Sequence, residues 1–398
     1  MSKKRILVIS QYFYPEQFRI NDICAEWVKR GYDVTVVTGY PNYPKGEYYK
    51  GYGWFKRTKQ RWKGVKIIRI FLLSRGHGAV RLALNYLSFV VSGFVWAFTT
   101  KIKADYVFTF EVSPMTQALL GVWYSKRRKI PNYLYVQDLW PENVETVTGI
   151  HSPLVIKPIR RMVDHIYKNC DIIFATSESF VKEIRKRLRV NKDRVRYLPQ
   201  YAEEFYKPVE KRSVPEIPDD DSFKVIFTGN IGQAQGLDIL PRAAQLLKNE
   251  NVKFIIVGDG REKDNFLGQI EKYGVKDMFV MIDRQPAERM PEMLCSCDVA
   301  FLSFADNKLW RMTVPAKLQS YMACGMPIIA SANGETKSII EQAACGVCSE
   351  LGDAKALAES IIKMRESDIE KMSENSTTYF FDNYEKKKVM DKIDIFFK

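Results

Sequence analysis

The chain has 398 residues, 46% hydrophobic and 27% charged, which is too long for one ordinary core and too apolar for extended disorder, so two folded domains are expected. Its formal charge of +14 is one-sided: residues 1–210 carry 36 Lys and Arg against 18 Asp and Glu, net +18, while the remainder carries 25 against 29, net −4. Such a field suits a membrane surface or a pyrophosphate, and nucleic acid is set aside because no nucleic-acid motif accompanies the charge.

Seven cysteines without framework spacing point to a reducing compartment. With only three histidines, Cys295 and Cys297, like Cys345 and Cys348, read as packing residues rather than metal ligands. No signal-peptide pattern stands before the first strand, RILVIS (5–10), so a cytoplasmic location is expected. Short β-rich runs then alternate with helical stretches: DVTVVTG (33–39), VKIIRI (65–70), DYVFTF (105–110), NYLYVQD (132–138), DIIFATS (171–177) and RVRYLPQ (194–200). Near-continuous apolar strands between helices predict a parallel sheet covered on both faces, here a domain over residues 1–205.

Two stretches of this domain stay open between readings. The basic run FKRTKQRWKGVKIIR (55–69) is either a membrane-interface patch, with Phe55 and Trp62 among cations, or a solvated loop before a strand. LALNYLSFVVSGFVWAFTT (82–100) approaches the length of a membrane span, yet Arg81, Asn85, Ser88, Ser92 and Thr99 share one helical face. An amphipathic helix is expected there, packed on the core or lying in a membrane interface.

EEFYKPVEKRSVPEIPDDDSF (203–223), rich in proline and charge, predicts an interdomain linker at residues 206–222, with Asp219–Asp221 a solvated turn rather than a metal site. KVIFTGN, VKFIIVGDG, FVMID, VAFLSFA, PIIASA and GVCSE predict a second α/β domain over residues 223–378. The last helical stretch, residues 379–398, ends in the amphipathic MDKIDIFFK and is expected to pack back on the first domain.

Three loops can carry chemistry. Gly229-Asn230-Ile231-Gly232 lies between a strand and a helix, where bare amides can approach a diphosphate, although glycines also serve plain tight turns. In TVPAKLQSYMACGMPIIAS (313–331) a helix opens with Pro315 and carries Lys317 in its first turn, where the helix dipole disfavours a cation unless an anion is near. SANGETKSII again sets Gly334 and Glu335 at a strand's carboxyl end before a helix.

YFYPEQFRIND (12–22), TGYPNYPKGEYYKGY (38–52), GNIGQAQGL (229–237) and PAKLQSYMACGMPIIA (315–330) together resemble bacterial family 4 glycosyltransferases over almost the whole chain. The paired N-terminal motifs are similar to the branch that builds O-antigen, capsule and colanic-acid-like polysaccharides, including transferases of fucose and N-acetylfucosamine. The resemblance implies a GT-B fold of two Rossmann-like domains facing a central cleft, acceptor domain first. It also implies a nucleotide-sugar donor, no essential metal, retention of configuration, and a glycan acceptor on a polyprenyl pyrophosphate carrier at an anionic membrane surface. Carried onto these residues, Lys317 and Arg311 would bind the diphosphate, and Gly229, Asn230, Gly232, Arg261, Gly334 and Glu335 the rest of the donor. Arg19, Asn42 and Tyr43 would meet the acceptor, and Glu16 and Asp138 would orient hydroxyls.

The chain departs from the family's pattern where donor contacts are expected. Met312 and Ser320 occupy the places of a glutamate pair, Asn230 and Gln235 those of an Arg and a Lys, Gln137 that of a His before Asp138, and Phe18-Arg19 those of two glycines. Lys317, Arg311, Lys308, Arg261 and backbone amides would have to compensate. These departures keep two other readings open, a non-catalytic scaffold subunit of a polysaccharide-assembly complex and a sugar-nucleotide epimerase. Among transferase mechanisms, one in which the leaving diphosphate itself takes the acceptor proton needs no carboxylate pair.

Overall fold

The computed structural model describes residues 3–188 and 190–397. The chain forms two compact units, one running to Leu198 and joined by the chain end from Ile393, the other Pro199–Lys392.

The first unit has strands β1 (Arg5–Ile9), β2 (Asp33–Thr38), β3 (Lys59–Trp62), β4 (Val65–Arg69), β5 (Tyr106–Glu111), β6 (Asn132–Val136), β7 (Ile172–Ala175) and β8 (Val195–Tyr197). Its helices are α1 (Arg19–Lys29), α2 (Ala79–Thr99), α3 (Ala118–Arg128), α4 (Glu142–Thr148), α5 (Pro153–Lys168) and α6 (Glu178–Arg185). The sheet order is β3-β4-β2-β1-β5-β6-β7-β8. Val8 pairs with Val36 on one side and Phe108 on the other, and strands β5 and β6 are buried throughout, as expected of a sheet covered on both faces. From β1 the chain first builds outward to one edge and then, from β5, to the other. The crevice where strand order reverses therefore lies at the carboxyl ends of β1 and β5.

The basic run is a hairpin rather than the expected loop. Residues Lys59–Trp62 form an antiparallel edge strand on β4 through a turn at Lys63 and Gly64, both at positive φ (44° and 82°), as a two-residue hairpin requires. Charged side chains on that edge discourage further strand pairing. Trp62 is spent on packing, stacked on Tyr14 at 4.8 Å and edge-on to Phe13, whereas Phe55 is 91% exposed.

Helix α2 buries a narrow stripe that is polar, aromatic and small in turn. Asn85, Phe89, Gly93 and Ala97, each four residues apart, form its buried stripe. Asn85 accepts from the Gln11 side chain (2.9 Å), the Ser88 hydroxyl accepts from Leu73 N–H (2.9 Å), and the Ser92 hydroxyl donates to the Phe71 carbonyl (2.6 Å). At its C-terminus Arg127 and Arg128 donate to the carbonyls of Ala97 and Thr100, which the helix leaves unsatisfied. The outward face is apolar: Val80, Leu84, Leu87, Val91, Phe94, Val95 and Phe98 are all exposed.

The second unit is an all-parallel sheet of β9 (Phe223–Asn230), β10 (Val252–Asp259), β11 (Phe279–Ile282), β12 (Val299–Ser303), β13 (Ile328–Ser331) and β14 (Gly346–Ser349), ordered β11-β10-β9-β12-β13-β14. Around it stand α7 (Ile239–Leu246), α8 (Lys263–Lys272), α9 (Met290–Cys295), α10 (Ala316–Ala323), α11 (Glu335–Ala343), α12 (Ala354–Arg365), α13 (Ile369–Asn383) and α14 (Lys386–Asp394), of which α14 ends in the first unit. Period-two alternation divides β9 between two cores. Val225 and Phe227 join α7 and α12, and Ile226 joins α10. Strand order here reverses at β9 and β12.

The stretch expected as a linker is fastened to the second unit. Val214 and Ile217 enter its core, Arg289 grips Glu216 through two hydrogen bonds of 2.8 and 3.2 Å, and Lys211 pairs with Asp298. Within the acidic run, Asp220 accepts from Ser222 and pairs with Lys224 and Lys253. The division falls at Leu198, and the return to the first unit begins at Ile393 rather than at residue 379. Asp394 accepts from Trp27 (3.0 Å) and Arg30 (2.9 Å), and Phe397 inserts among Trp27, Tyr106 and Tyr133. Phe397→Ala is expected to destabilise the first unit by about 3–5 kcal/mol, read as a lower urea midpoint for that unit's transition; an unchanged midpoint would show that the tail is not an anchor.

Candidate active site

Each unit gathers polar groups at its own strand-order reversal. In the first, the loop after β1 is set by a buried carboxylate. Glu16 Oε1 accepts from the N–H groups of Asn42 (2.8 Å) and Tyr43 (2.7 Å), and Oε2 accepts from Phe13 N–H (3.3 Å). Burial pushes the Glu16 carboxyl up to about 7, those three N–H groups and Arg69 opposing the shift only in part. Arg69 is itself tied down, donating to the carbonyls of Tyr14 and Arg57 and lying over the Tyr52 ring. The two N-terminal sequence motifs are thus bound to one another through Glu16, whose role in this structure is to clamp two loops.

Asn42 is spent likewise: fully buried, it donates to the Tyr40 carbonyl and accepts from Arg75 N–H. Tyr43 is available, 39% exposed, and packs with Tyr12 and Phe18 at centroid distances of 5.4–5.6 Å, while Tyr12 and Phe18 stack at 5.2 Å. The Arg75 guanidinium lies over the Tyr43 ring. Arg19 opens α1 directly after this loop. Gln11 N–H donates to Gln117, tying the β1 loop to the segment after β5.

Asp138, half-buried after β6, accepts from Ser113 N–H at 2.7 Å. The Ser113 hydroxyl in turn accepts from Trp140 and Asn143. Asp138 therefore joins two loops at neighbouring strand ends, and burial raises its pKa. Tyr12, Phe18, Tyr43, Arg75, Ser113, Asp138 and Trp140 line one cavity of about 910 Å³ within this unit. The sequence reading missed Tyr12, Phe18 and Trp140; their only signal was aromatic density beside turn residues.

In the second unit the polar groups collect around Lys317. Its ammonium donates to Gln235 Oε1 at 2.6 Å and sits 3.9 Å from the Phe227 ring centroid. Burial with no carboxylate to offset it pushes the amine down to about 7. Gly229 has φ 125°, and a Cβ there would approach the Lys317 side chain to 2.9 Å, so the lysine is folded over the bare loop. The Ser303 hydroxyl donates to the Gln235 carbonyl, placing this loop at the carboxyl end of β12 as well.

The remaining donor candidates are spread along these strand ends. Asn230 pairs in register with Asp259 at the ends of β9 and β10, Gly232 precedes a short 3-10 turn, and Arg261 is exposed on the loop after β10. Gly334 has φ 70° and lies so close to the Arg311 carbonyl that a Cβ would meet it at 2.0 Å, and Glu335 begins α11. Arg311 itself is exposed and paired with Asp306 at 2.7 Å, which leaves Lys317 as the cation built into the loop. Met312 and Ser320 place no carboxylate here, the Ser320 hydroxyl donating to the Ala316 carbonyl. Among the described residues no group of three or more His, Cys, Asp or Glu is arranged to hold a metal ion.

Residues 17–200 match the glycosyl transferase 4-like domain family, and residues 209–380 match glycosyl transferases group 1. The chain is a glycosyltransferase. It is 28% identical over 265 residues to WbjE of Pseudomonas aeruginosa, named as a probable glycosyltransferase, a match spanning 63% of this chain and 64% of that protein. It is 24% identical over 357 residues, 84% of each chain, to WcaI of Escherichia coli K12, named for colanic acid biosynthesis. The solved structure of HepE from Anabaena in complex with UDP and glucose shares its fold with a TM-score of 0.70 at 14% identity, covering 100% of this chain and 99% of that one.

In this glycosyltransferase Glu16 offers a direct test of the clamp. A carboxyl raised from 4.5 to about 7 favours the folded state below the lower value, and that contribution is lost as pH rises to the upper one. The difference amounts to roughly 3 kcal/mol at 1.36 kcal/mol per pH unit. Glu16→Gln keeps an oxygen for Asn42 and Tyr43 but cannot titrate. The wild-type Tm should therefore fall relative to the variant between pH 4.5 and 7; parallel profiles would contradict the clamp's titration.

Proposed function

We propose that this glycosyltransferase moves a sugar from a nucleotide-sugar donor to a lipid-linked glycan in surface polysaccharide biosynthesis, at the inner face of the cytoplasmic membrane, with retention and without an essential metal. The observation that carries the donor half is Lys317: an amine held over a glycine loop at β9 and β12 with no carboxylate partner among the described residues, its pKa pushed down to about 7. A bound diphosphate supplies the missing negative charge and restores the proton to that amine. As the sugar leaves, charge grows on the diphosphate oxygen, where Lys317 and the loop amides stabilise it. The leaving oxygen then serves as base for the incoming hydroxyl.

For the acceptor, the Phe18 and Tyr43 rings, backed by buried Tyr12, offer apolar surface to a sugar's C–H face, and Asp138 a carboxylate for a hydroxyl. The relative named for colanic acid biosynthesis supports this class of product. Fucose or an N-acetylated deoxyamino sugar as the group transferred rests on the sequence resemblance alone. Membrane attachment is supported by the apolar outer face of α2 and by the excess of positive charge in the first half of the chain.

Two experiments test this reading. Lys317→Ala should lower donor turnover by roughly two to three orders of magnitude with unchanged far-ultraviolet circular dichroism, and EDTA should leave wild-type turnover intact. Full turnover in the variant, or loss on chelation reversed by magnesium, would reject the assigned donor chemistry. In flotation, the protein should associate with anionic liposomes more than with neutral ones, and high salt should release part of it. Equal association with both would reject the charged-surface reading.

A further inference from the structure

The cavity of the first unit is larger than a sugar needs, and most of its wall is hydrocarbon. Beyond the polar strand ends it runs between α2 and α4, with Leu82, Ala83, Leu87 and Val90 on one side and Val144 and Val147 on the other. Its base includes Leu119, Ile159 and Met162, and its volume is about 910 Å³, at the upper end for a small-molecule site. Helix α4 has no buried residue, so one wall is itself open to solvent. Leu87 belongs both to this lining and to the exposed apolar face of α2. The trough is thus continuous with the surface best suited to a bilayer.

Its other end carries charge and hydrogen-bonding groups. Arg75 lies over the Tyr43 ring, 5.4 Å from its centroid. Arg75, Tyr12 and Asp138 all contribute to the electrostatic environment of the Tyr86 hydroxyl, which places these groups together at one end. An occupant matched to both ends has a hydrocarbon chain, an anionic head and a hydroxyl-bearing group beyond it. An apolar protein segment would not require the cation, and a free sugar would not require the trough.

We propose that the trough between α2 and α4 binds the hydrocarbon chain of a phosphate- or pyrophosphate-bearing lipid acceptor, with Arg75 at its anionic head. This rests on the lipid-linked acceptor proposed above and extends it: the enzyme recognises the carrier's chain as well as its glycan. The lipid leaves the bilayer along the outer face of α2, enters past Leu87, and its head stops at the ring of polar side chains. Chain burial on the protein adds affinity that a headgroup alone does not provide.

The test uses the full-length protein and three probes, farnesyl pyrophosphate below its aggregation threshold, inorganic pyrophosphate, and short-chain phosphatidylglycerol, with binding followed by calorimetry. Farnesyl pyrophosphate should bind at least ten times more tightly than inorganic pyrophosphate and resist displacement by phosphatidylglycerol. Ala83→Trp, which fills the trough from α2, and Val147→Glu, which places a charge on the α4 wall, should each remove that advantage while UDP binding remains as in wild type. Both positions are exposed, so folding is not at risk. Equal binding of the two pyrophosphates, full affinity in both variants, or displacement by phosphatidylglycerol at equal concentration would overturn the proposal. Because UDP is read in the same samples, failure of the trough and failure of the donor assignment give different results.

Discussion

A parallel sheet covered on both faces leaves few places where backbone polar groups can face a ligand, and the carboxyl ends of its strands where the order reverses are the principal ones. Both units of this chain obey that constraint, at β1 and β5 in the first and at β9 and β12 in the second. Nearly every functional candidate follows from it. Tyr12, Ser113 and Asp138 stand on loops leaving β1, β5 and β6, and Gly229, Gln235 and Lys317 gather where β9 and β12 end. The sheets fix the backbone, and the loops need only carry side chains of suitable chemistry.

The two sites surround their titratable groups differently. Glu16 is surrounded by donors from its own chain, three backbone N–H groups within 3.3 Å, which offset its burial in part and tie together the loops it binds. Lys317 has a neutral amide and an aromatic ring for company. Its desolvation is left without compensation, as expected of a group whose partner arrives from solution. The distinction shows positioning as the work of the first and fits the anion binding proposed for the second, although both looked like candidate chemistry in the sequence.

Helix α2 shows how composition can mislead about orientation. Its polar residues mark the buried side because they satisfy backbone groups of the strand-to-helix segment at Phe71 and Leu73, which no sheet pairing reaches. Gly93 lies 3.5 Å from Leu120 by the position of its would-be Cβ, allowing a close approach to α3. The larger apolar side chains are left outward. In a protein wholly in water this arrangement would expose a hydrophobic patch at a cost, and that cost vanishes where the patch meets lipid.

Strand positions, the α/β class and the glycine loop of the second unit were legible in the sequence because they rest on local rules: period-two burial, the need for bare amides, and the backbone freedom of Gly229 and Gly334. That Lys317 stands in the first turn of α10 could likewise be read from its position after Pro315. Other features depend on partners distant in the chain. Glu16 became a clamp only when residues 42 and 43 were brought to it, and Asn42 was removed from the list of ligands by Tyr40 and Arg75. Residues 206–222 looked like a free tether by composition until Val214 and Ile217 met the second unit's core. The orientation of α2 and the apolar trough beside it were also decided by tertiary packing. A helical pattern specifies that two faces differ, but only the surface it meets selects which one is buried.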